Sequence, residues 1–445
     1  MFLGSFSYLF TCLELENIET LKIELEQAPD AAKSFILNKL SKAFWKDKNK
    51  FFIYKYASES LGYAKKYNQK EQIFLAHYNI GNYYRKIKNY QKSLKYAHKC
   101  LKLANKRQKN NEILDSLELF RRIYAIQKNY IEEINILKRT CLINSIIGSK
   151  ENVAQDTHTI STLYYLMGDI QNCQKYTIKA KNLYIEIGDK FRVIQMLTYM
   201  AVHYQKFKNY KQANKCLIEA EKIVDNNEIK EKERAICRLY HGFGRLYKLM
   251  QNYEEAIKYL KEGLLIAETI TNSYSKSHWK STIVNCLGDV YIKINKYDTA
   301  LKYFNKSLEI KFNKERYTEY YSIEGLKNIG VVNLKKKEFN QALSFFNKSL
   351  ELSKIHNETI YQMSLYKFIG KTYSNKNDIN NAIIHLKEGI KVFKNHNKDK
   401  VVIDNREIRE NYKLLSDIYN KLGKVKQSKK YLKIASNLKD FDFPK

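Results

Sequence analysis

Residues 80–93 read IGNYYRKIKNYQKS (Ile80 to Ser93), and residues 243–256 read FGRLYKLMQNYEEA (Phe243 to Ala256). Each stretch opens on an apolar residue and a glycine, carries a tyrosine three places on, passes through an Asn-Tyr pair, and reaches a small residue twelve places after the glycine. Outward from these two stretches the three-residue turn recurs along the chain. It stands as Lys88-Asn89-Tyr90, Lys128-Asn129-Tyr130, Gly168-Asp169-Ile170 and Lys208-Asn209-Tyr210, each 40 residues after the last. It continues as Gln251-Asn252-Tyr253, Asn295-Lys296-Tyr297, Lys337-Glu338-Phe339, Asn377-Asp378-Ile379 and Gly423-Lys424-Val425, with intervals of 43, 44, 42, 40 and 46 residues. A degenerate Lys48-Asn49-Lys50 precedes the first of them, which makes ten copies.

The positions around the turn repeat as well. An aromatic sits six residues before the last turn position: Phe44, Tyr84, Tyr124, Tyr164, Tyr204, Tyr247, Tyr291, Tyr373 and Tyr419, with Asn333 breaking the series. A small residue sits nine before it, as in Ser41, Gly81, Ser161, Ala201, Gly244, Gly288, Gly330, Gly370 and Ser416, with Arg121 as the exception. Apolar residues at i, i+3 and i+7 on both sides of the turn give paired helices with one adhesive face each. The small residue lets the second helix approach, and the aromatic fills the wedge between the two. A single pair leaves part of its apolar face wet, so the units must stack. The two prolines, Pro29 and Pro444, bracket a span with no forced helix stop, and the 15 glycines are too few for a turn-rich β protein. Gly148 and Gly188 fit helix C-caps between units. Ahead of the array, Ile18, Leu21 and Leu25 share a helix face that Pro29 ends. This reads as a capping helix over residues 14–30 (a docking tail is the other reading), with Asp30 placed to cap the next helix.

The pattern resembles the tetratricopeptide repeat family, carried by Ile80-Gly81-x-x-Tyr84, Phe243-Gly244-x-x-Tyr247, Leu287-Gly288-x-x-Tyr291 and Ile369-Gly370-x-x-Tyr373, with Ser93, Ala256, Ala300 and Ala382 following. Two departures are the period of about 40 in place of 34 and the missing late-repeat proline. Both are similar to the longer-period branch of bacterial sensory and regulatory proteins. The resemblance implies an all-α, right-handed superhelical solenoid of about ten helix-turn-helix repeats over residues 31–440, with residues 441–445 as a tail. It implies a non-enzymatic protein- or peptide-binding scaffold, a sensor or adaptor of a signalling system, without cofactor. A peptide-responsive regulator and a nucleic-acid-binding helical-repeat protein are the alternatives. The family's concave groove is lined by the first helix of each pair. Carried over, its wall holds Asn82, Arg85, Arg122, His158, Gln205, His241, Arg245, Asn285, Asp289, Lys327 and Lys371. Such amides and cations suit an extended peptide with acidic groups. The family's chaperone-tail clamp is not expected, because Leu119 stands where an amide is needed.

The formal charge is +32, but 67 of the 79 basic residues are lysines and 12 are arginines. Lysines spread evenly among Asn, Ile and Tyr read as a solvated surface, and arginine is the residue suited to forked phosphate contacts, so the charge argues against a nucleic-acid partner. Seven cysteines, an odd number with no C-x-x-C spacing, read as small buried hydrophobes and neither a disulfide framework nor a zinc site. The nine histidines form no H-E-x-x-H, and no nucleophile elbow occurs, so neither a catalytic nor a metal site is expected. No stretch reaches the roughly 18 apolar residues of a membrane span. Residues 1–13 (MFLGSFSYLFTCL) are apolar without the basic start of a secretory signal. The compartment is therefore open: cytoplasmic, or periplasmic if these residues are a signal remnant.

Overall fold

The computed structural model describes residues 18–46, 50–225, 228–312, 315–397 and 405–438. The expected leader at 1–13, the tail at 441–445 and the Lys48-Asn49 turn positions lie outside them. Among the described residues run 21 α-helices and no strand. Helix α1 (Ile18–Gln27) comes first, and ten antiparallel hairpins follow. They pair α2 (Asp30–Ala43) with α3 (Phe51–Lys66), α4 (Lys70–Lys86) with α5 (Tyr90–Arg107), α6 (Asn110–Gln127) with α7 (Tyr130–Ile146), and α8 (Lys150–Met167) with α9 (Ile170–Glu186). Next come α10 (Lys190–Lys206) with α11 (Tyr210–Asp225), α12 (Lys232–Leu249) with α13 (Tyr253–Thr269), and α14 (Ser273–Lys293) with α15 (Tyr297–Glu309). The last are α16 (Glu315–Lys335) with α17 (Phe339–Ile355), α18 (Thr359–Asn375) with α19 (Ile379–Asn397), and α20 (Asn405–Lys421) with α21 (Val425–Asn437). The chain divides into two compact units, the first ending at Asp156 and the second beginning at Thr157.

The repeated turn is a helix stop joined directly to a helix start. Its first residue takes the left-handed conformation: φ is 62° at Lys88, 56° at Lys128, 63° at Gln251, and 73° at Gly168. The next residue's N–H then reaches back to the carbonyl of the conserved-position aromatic, as in Asn89 to Tyr84 (2.9 Å), Asn252 to Tyr247 (3.0 Å) and Asp378 to Tyr373 (2.9 Å). This is the Schellman closure, which satisfies carbonyls that a helix end leaves unpaired. Asn333 can break the aromatic series because the closure needs only its backbone, which accepts from Glu338 N–H at 2.8 Å. The same second residue caps the following helix. The Asn89, Asn129, Asp169, Asn209, Asn252 and Asp378 side chains each accept from a backbone N–H three residues on. Gly148 and Gly188 close the turns between hairpins, at φ of 77° and 74°. Asp30 does not act as expected. Pro29 occupies the cap position, and Asp30 is the first helical residue, paired with Lys33 at 2.8 Å and Lys66 at 3.2 Å.

In most hairpins the aromatic packs on the ring twelve places later. Tyr84 meets Tyr96 at 5.7 Å between centroids, Tyr247 meets Tyr259 at 5.6 Å, Tyr291 meets Tyr303 at 5.3 Å and Tyr419 meets Tyr431 at 5.5 Å. The glycines at the small position take the second helix's large apolar side chain against their backbone. A β-carbon on Gly330 would lie 2.6 Å from the Phe346 ring, and one on Gly370 2.6 Å from Leu386. Gly330→Ala is therefore expected to lower stability by about 1–3 kcal/mol despite its gain in helix propensity. Chemical unfolding followed by circular dichroism checks this, and an unchanged midpoint would show that Phe346 can swing aside. Cys100, Cys173, Cys216, Cys237 and Cys286 are buried among these side chains, as small apolar residues, and Cys141 is half-buried. Leu21 of α1 is buried with Leu37, Leu40 and Ile53, while Ile18 and Leu25 pack around it.

Candidate functional site

In the second unit, α12 carries its two chemistries on opposite faces. Ala235, Cys237, Leu239, Phe243 and Leu246 are buried in the core. Arg234, Arg238, His241, Arg245 and Lys248, at i, i+4, i+7, i+11 and i+14, form a stripe on the other side. The flanking helices α10 and α14 hold this stripe with aromatic rings. The Arg238 guanidinium lies 5.5 Å from the Tyr199 ring centroid and 5.3 Å from that of Trp279. Arg234 lies 5.2 Å from the Phe191 ring. Arg192 of α10 donates to Gln195 Oε1 at 2.9 Å, and Gln195 Nε2 donates to the Tyr199 hydroxyl at 3.1 Å. Rings on two sides of the Arg238 guanidinium attract it through their π faces and restrict its motion.

Two histidines, His158 and His278, border the stripe, and His241 belongs to it. His158 packs against Tyr199 at 5.7 Å and Tyr184 at 6.2 Å. His278 packs edge-on to Trp279 at 5.1 Å and shares a 2.8 Å hydrogen bond with the Tyr321 hydroxyl. His241 meets the Trp279 ring at 6.3 Å. Burial, then the neighbouring guanidinium charges, push His158 down to about 3 and His278 to about 4, and drive His241 well below its ordinary value. The imidazoles are therefore neutral at pH 7, and the positive charge resides on the arginines and Lys248. Two carboxylates answer it: Glu231 pairs with Arg234, and Asp289 with Lys248 at 3.2 Å.

The expected wall residues divide into three groups. His241, Arg245 and Asp289 come together on α12 and α14 beside Lys248. Asn82, His158, Gln205 and Asn285 are buried and do not line an open wall. Asn82 bonds within α4, donating to the Tyr78 carbonyl and accepting from Arg85, whereas Gln205 reaches the Gly242 carbonyl of the next hairpin at 3.4 Å and Asn285 of α14 donates to Ser307 of α15 at 2.8 Å. A position facing the neighbouring first helix is covered by it, which the repeat pattern does not report. Arg122 is already paired with Glu118 at 2.7 Å, Lys327 lies over the Tyr361 ring at 5.4 Å, and Lys371 is exposed on α18. Arg192, Tyr199, Arg234, Arg238, His278 and Trp279 were missed. Extending the helical spacing one and two turns back from His241 finds Arg238 and Arg234, and their ring partners come from adjacent hairpins.

Among the described residues no group of three or more His, Cys, Asp and Glu could hold a metal ion, and no helix is long and apolar enough to cross a membrane.

The sequence profile described as "Tetratricopeptide repeat" matches residues 192–269, 235–311 and 75–107. No curated protein matches the sequence. Among solved structures, the apo form of the quorum sensor NprR from B. thuringiensis is 16% identical, with 94% of this chain and 99% of that one covered at a TM-score of 0.51. A signal transduction ATPase with numerous domains and a tetratricopeptide repeat sensor, from Pyrococcus horikoshii, is 15% identical over 94% of this chain and 64% of that one, with a TM-score of 0.49. At 16% identity the likeness to the quorum sensor concerns the fold. The ten hairpins repeat one turn through the described residues, and the profile matches lead to one conclusion: residues 75–107 and 192–311 of this chain are tetratricopeptide repeats, within a helical solenoid of the same type.

Proposed function

We propose that the chain is a non-enzymatic binding protein, a sensor or adaptor, whose second unit takes an extended acidic peptide or protein segment along α12. The observation that carries this reading is the stripe Arg234, Arg238, His241, Arg245 and Lys248 on the face of α12 opposite its core. Five such side chains over about four helical turns form one continuous polar face. Rings on the neighbouring helices hold Arg234, Arg238 and His241 in place, which lowers the entropy lost when they bind. Carboxylates spaced along an extended segment meet them in series through charge-assisted hydrogen bonds. The quorum-sensor neighbour supports a sensing role by its fold.

The two tryptophans are Trp45 and Trp279, so a Trp45→Phe chain reports on this face alone by fluorescence. Titration with a library of Asp/Glu-rich decapeptides is expected to shift Trp279 emission saturably, while a Lys-rich library leaves it unmoved. Arg245→Glu should weaken the binding at least about tenfold, since it turns an attractive contact into a repulsive one. Failure of every acidic peptide to bind, or equal binding by the Arg245→Glu chain, would remove this reading.

A further inference from the structure

Arginine is scarce in this chain, 12 residues against 67 lysines, yet three of the 12 converge on one spot of the second unit. Arg192 bonds Gln195, which bonds the Tyr199 hydroxyl, Arg238 lies against that same Tyr199 ring, and Arg234 stands one turn before Arg238 on α12. A solvated basic surface in this chain is built from lysine, so the choice of arginine here reflects its planar fork and its ability to stack. Arg234 and Arg238 are both stacked, on Phe191 and between Tyr199 and Trp279 respectively. The Nε atoms of both are buried without a hydrogen-bond partner.

The first unit holds an informative contrast. Its adjacent pair Arg121 and Arg122 share Glu118 at 2.6 and 2.7 Å, and Arg121 also reaches Glu133 at 3.5 Å. Those arginines are neutralised inside the fold. Among the described residues the trio in the second unit meets one carboxylate, Glu231, at Arg234. Arg192 is held by an amide and Arg238 by rings, which orient a guanidinium without cancelling its charge.

We infer that Arg192, Arg234 and Arg238 form a subsite for a doubly charged tetrahedral oxyanion of the phosphoryl class, borne on the peptide or protein segment that the second unit binds. The inference rests on the groove reading above for the segment, and on the arginines for the anion. A single carboxylate neutralises one of the uncompensated guanidiniums. A phosphoryl group brings close to two charges and three acceptor oxygens, enough to meet both Arg238 and its neighbours.

The test follows Trp279 emission in the full Trp45→Phe chain at constant ionic strength. The probes are inorganic phosphate, acetate, and paired peptides of one acidic sequence with phosphoserine or with serine. Phosphate should give a saturable change that acetate does not. Phosphoserine should tighten peptide binding at least about tenfold. Arg238→Lys keeps the charge and removes the fork, so it should abolish the phosphoserine preference. Lys261→Gln, an exposed change on α13, should alter nothing. Circular dichroism of each variant establishes that it is folded. Equal affinity for the two peptides, or an Arg238→Lys chain that still prefers phosphoserine, would overturn the subsite and leave the groove standing. A chain that binds phosphate but no peptide would sink the groove reading instead. Displacement of phosphate by single-stranded RNA at physiological salt would transfer the subsite to nucleic acid and overturn its assignment to a protein segment.

Discussion

Acidification from pH 7.5 to pH 5 is expected to loosen the unit that begins at Thr157 while tightening the one that ends at Asp156. In the second unit, burial lowers His158 to about 3, and His203 and His278 to about 4. Their surroundings offer no counter-charge. His158 faces Tyr184, Tyr199, Arg192 and Arg238. His203 faces Cys173, Tyr165 and Lys206, and His278 faces Trp279, Tyr321, Arg234 and Arg238. A depressed histidine makes the unfolded chain bind more protons than the folded one between about pH 4 and 6.5, so stability falls as pH falls through that window. At pH 5 the two buried imidazoles, His158 and His203, cost about 2 kcal/mol each relative to neutral pH. In the first unit the sign reverses. Burial raises Asp115 and Asp156 to about 6 and Glu133 to about 7. A raised carboxyl is a penalty above its folded value, and the penalty is relieved as the folded state takes up the proton. Three such groups outweigh the one depressed histidine there, His77. Hydrogen exchange at the two pH values, corrected for intrinsic rates, should show protection dropping in α10, α12 and α14 and rising in α6 and α7. A uniform change along the chain, or the opposite division, would refute the assignment.

Replacement of Arg121 by methionine should cost about 3–5 kcal/mol at pH 7.5, the range for removing one member of a buried ionic cluster. Arg121 occupies the position that glycine, serine or alanine holds in the other repeats. Its guanidinium bonds Glu118 at 2.6 and 2.8 Å and reaches Glu133 at 3.5 Å. Nearby, Asp156 accepts from Thr140 at 2.6 Å and from Asn144 at 3.2 Å. Burial works to raise the Glu118 carboxyl, and the bonds from Arg121 and Arg122 overcome it and hold the group below its ordinary value. Without Arg121, a half-buried and a buried carboxylate face each other with only Arg122 to answer them. Urea unfolding of the first unit, read from Trp45 in a Trp279→Phe chain, measures the loss. Glu118→Gln and Glu133→Gln in the Arg121→Met background should restore much of it, and so should lowering the pH to 5.5, since both discharge the carboxyls. A loss below about 1 kcal/mol would show that water reaches the cluster and screens it.

Arg121 also marks where sequence reading stopped being sufficient. The repeat pattern flags it as an exception but does not say that Glu118, one turn back, and Glu133, in the next helix, answer it. The same holds in the second unit. The spacing of Arg234, Arg238, His241, Arg245 and Lys248 is visible along one helix, whereas the rings that hold them, Phe191, Tyr199 and Trp279, come from helices 40 or so residues away.

The sequence alone determined what depends on neighbours along the chain. Ten hairpins, their turn, the asparagine and aspartate caps, and the glycines that admit a second helix all follow from periodicity and from local backbone chemistry, which reach only a few residues. Tertiary structure decided what depends on neighbours in space. It covered Asn82, Gln205, Asn285 and His158 because each first helix packs on others, and it left Arg192, Arg234 and Arg238 together with too little acid to answer them. Burial and electric field are sums over all surrounding atoms, and a one-dimensional pattern does not contain that sum.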